Sequence, residues 1–489
     1  MENPLRSPDT SVTSEPRRRR SRRVRRVLLA LLVAAGVLGA VWLMLPAQRD
    51  GARAPGPPRP PAPAPGAAGL AAVGAGAPAS LPALTALIAE RERHLRARPK
   101  DAGAWAVLGV AYVERGRRTV DPADYPRAEE ALRTSLRLLP QEKNTEALNG
   151  LAMLENGRRD FAAARSWGEA AVKQEPERWT AYPPLIDAYT GLGDHKAAQR
   201  TLDKLLTLNR SPAVRAEAAA VYWDRGWRED AAAELSDAAA GAASPAERAA
   251  YLEQAGRIAL ERGDREDALR RFDAALRLDP DRLAARAGRG RALAALGRTA
   301  EALTAYRQAL GDRPYPEYAL ELGELYESLG SRPEARELYG LLRARALQNE
   351  EAGVDDEVVL GRFEADHGDP GSAVRRLRAE WERRPGTAVA DALGWALHRD
   401  GQDVEALRFA TRATEAAEGG GVRNALYAFH RGVIEQGLGL PGAARRHLEN
   451  ALRTNPYFSP LWAPEAQAAL RALGEPPPEE VPAGVVGAR

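Results

Sequence analysis

Residues 263–280 read GDREDALRRFDAALRLDP, and residues 297–314 read GRTAEALTAYRQALGDRP. The two stretches are in register. Each opens with Gly, places Ala at 268 or 302, an aromatic ring at Phe272 or Tyr306, and Pro at 280 or 314. Ala268, Leu269, Phe272, Ala275 and Leu276 recur three to four residues apart, which puts them on one face of a helix. The opening Gly suits a tight turn, and the closing Pro cannot continue a helix. Working outward, GSRPEARELYGLL (330–342) and GQDVEALRFATRA (401–413) repeat the pattern. The small residue opening the second helix falls at Ala128, Ala164, Ala198, Ala231, Ala268, Ala302, Ala335, Ala373, Ala406 and Ala444. These positions lie 33 to 38 residues apart. A single helix pair cannot bury its own apolar face, so copies must stack to make a core. The spacing therefore predicts an all-α solenoid of about ten helix-turn-helix repeats.

This pattern resembles the tetratricopeptide repeat, whose first helix carries an aromatic residue, then Leu-Gly, then Tyr. Trp105, Leu108, Gly109 and Tyr112 reproduce that run, and Leu322, Gly323 and Tyr326 repeat its later part. The family's helix-closing proline matches Pro140, Pro176, Pro280, Pro314, Pro385 and Pro456. The resemblance covers about 105–456. It implies that Trp105, Leu108, Gly109, Tyr112, Ala268, Phe272, Ala302, Tyr306, Ala335 and Tyr339 pack repeat against repeat. Three departures stand out: about seven extra residues near 117–125, a degenerate fourth repeat at 213–238, and a longer connection at 343–356.

Ahead of the repeats the composition changes twice. Residues 17–26 hold eight arginines, and 27–45 (VLLALLVAAGVLGAVWLML) carry no charge. About twenty apolar residues cross a bilayer as a helix, and flanking arginine keeps its own side cytoplasmic. The expected organisation is a short basic cytoplasmic segment at 1–26, a transmembrane anchor at 27–46, a Pro/Ala/Gly-rich linker at 47–83, a solenoid with a capping helix at 84–473, and a disordered tail at 474–489. The expected location is a cell membrane, crossed once, with the repeats extracytoplasmic. A cleaved secretory signal and a twin-arginine signal compete with the anchor. The first prefers a shorter apolar run and a small-x-small exit, and arginine pairs arise by chance in so basic a cluster.

The basic balance of the whole chain, +3, is misleading. Residues 1–83 hold twelve Arg against four carboxylates, leaving 58 of the 70 basic and 63 of the 67 acidic side chains to the other 406 residues. A mildly acidic repeat region has no general field for nucleic acid, so no such partner is expected. Cysteine is absent, which removes disulfides, thiolate metal sites and a Cys nucleophile. No phosphate-binding GxxxxGK[ST], GxSxG or SxxK occurs, and the six His form no HExxH. No enzyme, cofactor or metal is expected.

By the same resemblance, first-helix side chains line a concave groove that holds an extended peptide or a partner helix. Asn149, Met153, Asp187, Trp223, Glu324 and Asp391 fall on or near it. Two patches there are candidate partner sites: Arg257, Arg291 and Arg362 at one inner position of three repeats, and Trp395, His398, Phe429 and His430 in the last two. Against them stand intramolecular pairing of the arginines and packing of the aromatics under a terminal cap helix. The expected function is a membrane-anchored scaffold at a bacterial envelope that presents its groove to proteins or peptides. A regulatory receptor for a peptide or secreted protein is the first alternative, and an enzyme with an unrecognised site the second.

Overall fold

The computed structural model describes residues 66–311, 314–415 and 423–474. They lie within one compact unit, Pro63–Arg489. The expected cytoplasmic segment and anchor, and nearly all of the expected tail, lie outside the described residues. Among the described residues there is no strand, and no helix is long and apolar enough to cross a membrane.

Two helices lead in, α1 (Ala67–Gly74) and α2 (Leu81–Ala97). Ten hairpin pairs follow among the described residues. The first five are α3 (Ala102–Thr119) with α4 (Tyr125–Leu138), α5 (Thr145–Arg158) with α6 (Phe161–Gln174), α7 (Tyr182–Gly191) with α8 (His195–Leu208), α9 (Pro212–Asp224) with α10 (Arg228–Gly241), and α11 (Pro245–Glu261) with α12 (Arg265–Leu278). The next five are α13 (Leu283–Ala295) with α14 (Thr299–Leu310), α15 (Pro316–Ser328) with α16 (Arg332–Glu351), α17 (Glu357–His367) with α18 (Pro370–Arg383), α19 (Thr387–Arg399) with α20 (Asp403–Thr414), and α21 (Ala425–Gly437) with α22 (Pro441–Thr454). The cap is α23 (Trp462–Ala472).

Three details differ from the sequence reading. Part of the expected linker is the helix α1, because AAGLAAVG contains no proline and Gly69 lets its backbone approach Ala83. The expected connection at 343–356 is mostly helix, since α16 runs for 20 residues before Gly353 turns the chain. The degenerate fourth repeat is a regular pair whose alanines still bury one face. The extra residues near 117–125 form a left-handed step at Val120 and a short 3-10 turn, Pro122–Asp124, held by the Arg115–Asp124 ion pair at 2.6 Å.

The ten small residues marking the second helices are all at most 2% exposed, which is why no larger side chain stands there. Leu108, Gly109, Tyr112, Ala268, Phe272, Ala302, Tyr306, Ala335 and Tyr339 are buried as well. Trp105 is half-buried and donates its indole N–H to the Pro99 carbonyl at 2.9 Å. Helix contact is tight enough to exclude a methyl group: a Cβ on Gly323 would stand 2.3 Å from Tyr339 Cε1. Between the helices of seven repeats the turn residue is a Gly (193, 226, 263, 297, 330, 401 and 439) with φ between 69° and 85°. In the second repeat that position is Arg159, at φ 65°. A left-handed L-residue costs roughly 1–2 kcal/mol, so something must offset it.

The stack winds into a superhelix tight enough for successive turns to touch. Arg158 Nε donates to the Ala352 carbonyl at 3.1 Å, and Asn455 Nδ2 donates to the Leu260 carbonyl at 2.9 Å. Contacts 194 and 195 residues apart, against a repeat of about 34, put between five and six repeats in one turn. One repeat to either side, Arg118 pairs with Asp279 and Arg345 pairs with Asp121 at 2.8 Å.

Candidate functional site

First helices face inward, and their side chains line a cavity of about 840 Å³ that runs from Arg117 near the start of the superhelix to Trp462 of the cap. Arg257, Arg291, Glu324 and Arg362 all reach it. The structure therefore brings the three candidate arginines together, but each faces a carboxylate. Arg291 grips Glu321 with two hydrogen bonds of 2.8 and 2.7 Å, and its guanidinium lies 5.8 Å from the Tyr318 ring centre. Arg362 stands 3.9 Å from Glu317, and Arg257 3.5 Å from Glu261 one helical turn on. Intramolecular pairing, the alternative weighed against this patch, thus holds in different degrees: Glu321 occupies Arg291 outright, and the other two arginines hold looser pairs.

The walls act on one another. Burial pushes the Glu324 carboxyl up to about 8, against the pull of Arg362. Burial also lifts Asp224 to about 7, with Arg257 opposing. Glu217 is held well above the usual carboxylate range by burial and by Asp187 beside it. Burial alone would lower the Arg291 guanidinium, yet Glu321 outweighs it and holds the group above its ordinary value. Glu324 and Glu217 are only half-buried at their own surface. The opposite wall nevertheless removes bulk water around the inner groups. Tyr427 illustrates this: burial and Asp391 raise its hydroxyl, and Glu261 and Asp224 add from repeats far earlier in the chain.

The aromatic patch is elsewhere. Trp395, Phe429 and His430 are 3%, 1% and 4% exposed, so they offer no surface to a partner in the folded chain. This corrects their placement in the open groove. Trp395 stacks on His430 at 4.2 Å and meets Trp462 edge-on at 5.9 Å, while Phe429 packs on Phe458 and Trp462. Each polar edge is satisfied. Trp395 Nε1 donates to Asp366 at 2.9 Å, and His430 Nδ1 lies 3.0 Å from Asp391. His398, partly exposed beside them, meets Asp403 at 2.5 Å. Trp223 and Asp391 are likewise buried, whereas Asn149, Met153 and Asp187 are half-buried.

Sequence reasoning missed Glu321, Tyr315, Tyr318 and Trp462 on the inner wall. Glu321 lies one helical turn before Glu324 on α15, a spacing that places both on one face. Arg159 carried a plainer signal, since it stands where the repeat asks for Gly. Among the described residues no group of three or more His, Asp or Glu side chains is placed to hold a metal ion.

The sequence profile of the tetratricopeptide repeat matches residues 120–179, 253–316 and 290–349. No curated protein is similar enough in sequence to match. Among solved structures, the human IFIT1 dimer with PPP-AAAA is 17% identical, covering 65% of this chain and 73% of that one, with a TM-score of 0.43. Yeast Tom70 is 13% identical over 80% of this chain and 92% of its own, with a TM-score of 0.35. Pseudomonas aeruginosa pilF is 20% identical over 43% of this chain and 97% of its own, with a TM-score of 0.34. At these scores the likeness says nothing about ligands. The matched segments coincide with helix pairs whose alanines, glycines and aromatics pack as the repeat requires, so the chain carries tetratricopeptide repeats over these segments.

Proposed function

We propose that the chain is a membrane-tethered scaffold that holds an extended segment of a partner protein along the inner face of its superhelix, outside the cytoplasm. The cavity of about 840 Å³ carries this reading. It is long, lined by first helices of successive repeats, and set with aromatic rings and ion pairs that can exchange partners. An extended peptide offers the matching chemistry: side chains for the rings at Tyr315 and Tyr318, and main-chain groups for Arg257 and Arg362. Those two arginines hold their carboxylates loosely, at 3.5 and 3.9 Å. Five arginines and five glutamates line the wall, so no large positive field builds up to favour a polyanion. Membrane tethering rests on the uncharged run 27–45 behind eight arginines.

A photo-crosslinking residue at position 257 of the full-length chain in cells should capture a partner protein. The same residue at 270, exposed on the second helix of the same repeat, should not. In parallel, a cysteine placed at Ala62 should react with a membrane-impermeant maleimide in wall-permeabilised cells, and one at Ser7 should not. Equal capture from 257 and 270 would remove the inner face as the binding surface. Labelling at Ser7 alone would reverse the topology.

A further inference from the structure

Arg159 breaks the rule of its own repeat. Seven repeats place Gly at the turn between their two helices, with φ between 69° and 85°. The second repeat places an arginine there at φ 65°. Inside the repeat nothing calls for a long cation. The next helix is capped without it, by Asp160, whose side chain accepts from the Ala163 amide at 3.0 Å.

The side chain works one superhelical turn away. Its guanidinium donates to Asp356 at 2.6 Å and to the Asp355 carbonyl at 2.8 Å, and it also reaches the Tyr315 hydroxyl. Asp356 is almost fully buried and is steadied by Asn349 Nδ2 at 2.7 Å. The backbone joins in: the Asp355 amide donates to the Arg158 carbonyl at 3.0 Å, and Arg384 donates to the Arg159 carbonyl at 2.5 Å. Among the described residues the apolar contact between these turns is small: Val354 enters the hydrophobic core of the first repeats, and Val120 packs against the core of the later ones. Contact between turns is thus mostly ionic and hydrogen-bonded, the composition of surfaces that part and rejoin. Tyr315, which Arg159 touches, is itself part of the wall of the inner cavity.

We infer that Arg159 is a latch, holding the later turn of the superhelix onto the first so that the inner cavity admits a bulky partner only when the latch is open. This deepens the reading of the inner face as the binding surface. Arg159→Gly separates the latch from ordinary stability, because glycine suits the left-handed turn better than arginine does.

The native chain has no cysteine, so introduced pairs report without background. Nitroxide labels at Ala162→Cys and Leu347→Cys, both exposed on the walls of a separate cavity lined by residues 158–162 and 343–364, read the gap between the turns directly. With Arg159 present the distance distribution should be single and narrow. Arg159→Gly should add a longer, broader population with unchanged helicity, and Tyr315→Phe should shift it partway. Separately, a cysteine at Ala284 on the inner wall should react with a polyethylene-glycol maleimide about tenfold faster in Arg159→Gly, while small N-ethylmaleimide is unaffected, as access limited by opening requires.

An unchanged distance distribution in Arg159→Gly would overturn the latch. So would an unchanged rate with the bulky reagent. A fall in Tm with loss of helicity would also overturn it, by showing that Arg159 holds its own repeat together. No partner enters either measurement, so failure to capture one would strike the proposed function and leave the latch standing.

Discussion

Glu324 shows how the superhelix changes a single side chain. On an isolated helix it would be an ordinary solvated carboxylate, but facing the opposite wall its pKa rises to about 8. The consequence for stability has a definite sign. Below about pH 4.5 the folded and unfolded chains both keep the proton, and the group contributes nothing. Between there and about 8 the unfolded chain ionises while the folded chain still holds its proton, so stability falls as pH rises, and the loss is complete above that range. Asp224, raised to about 7, acts in the same direction over a lower window. Glu324→Gln keeps the shape and removes the titration. Its Tm advantage over the native chain should therefore be small near pH 5 and grow steadily to pH 8.5. An advantage that is constant across that range would mean the inner wall is as wet as the outside. None of this was legible from sequence, because the burial of Glu324 and its approach to Arg362 and Asp366 of the next repeat depend on how the repeats stack.

At the scale of elements, what could be read early was whatever one repeat decides for itself. The alanine that opens each second helix, the turn glycine and the packing aromatics recur because each repeat solves the same contact, and a period exposes them. What could not be read was the end of the stack. Placing Trp395 and Phe429 in the groove follows from repeating the inner-face rule, and that rule fails once α23 and the segment before it cover the last two repeats. Trp462 and Phe458 fill the space a ligand would take. Trp395→Ala should therefore leave a cavity beneath the cap and destabilise the chain by roughly 3–5 kcal/mol, measured by denaturant unfolding with attention to the C-terminal repeats. A variant with native stability and weakened partner capture would return Trp395 to the binding surface. The arginines misled for a similar reason. Spacing shows that Arg257, Arg291 and Arg362 share an inner position, but the partner of Arg291 stands 30 residues on, at Glu321, and only the stacking angle decides that they meet.

The whole molecule departs from the usual account of a solenoid, in which each repeat feels only its neighbours and damage spreads along the chain in one dimension. Here a second direction exists, because the turn at Arg158 and Arg159 leans on residues 352–356 and on Arg384, while Leu260 and Arg265 lean on Asn455 and Tyr457. Stability should be shared along the chain and also across the gap between turns. Ala164 tests this, since it is fully buried in α6 just beyond the Arg159 turn. Ala164→Asp forces a carboxylate into that helix contact without a partner, at a cost of a few kcal/mol. In a one-dimensional stack, amide hydrogen exchange would quicken over 125–208 and fade with distance along the chain. With the turns joined, a second island of lost protection should appear at 349–360 and around 384–390, nearly two hundred residues away in sequence, while α22 stays protected. Protection at 349–360 equal to that of the native chain would show that the turns touch without sharing stability. The superhelix would then be a row of repeats that happens to close, with no mechanical link between its turns.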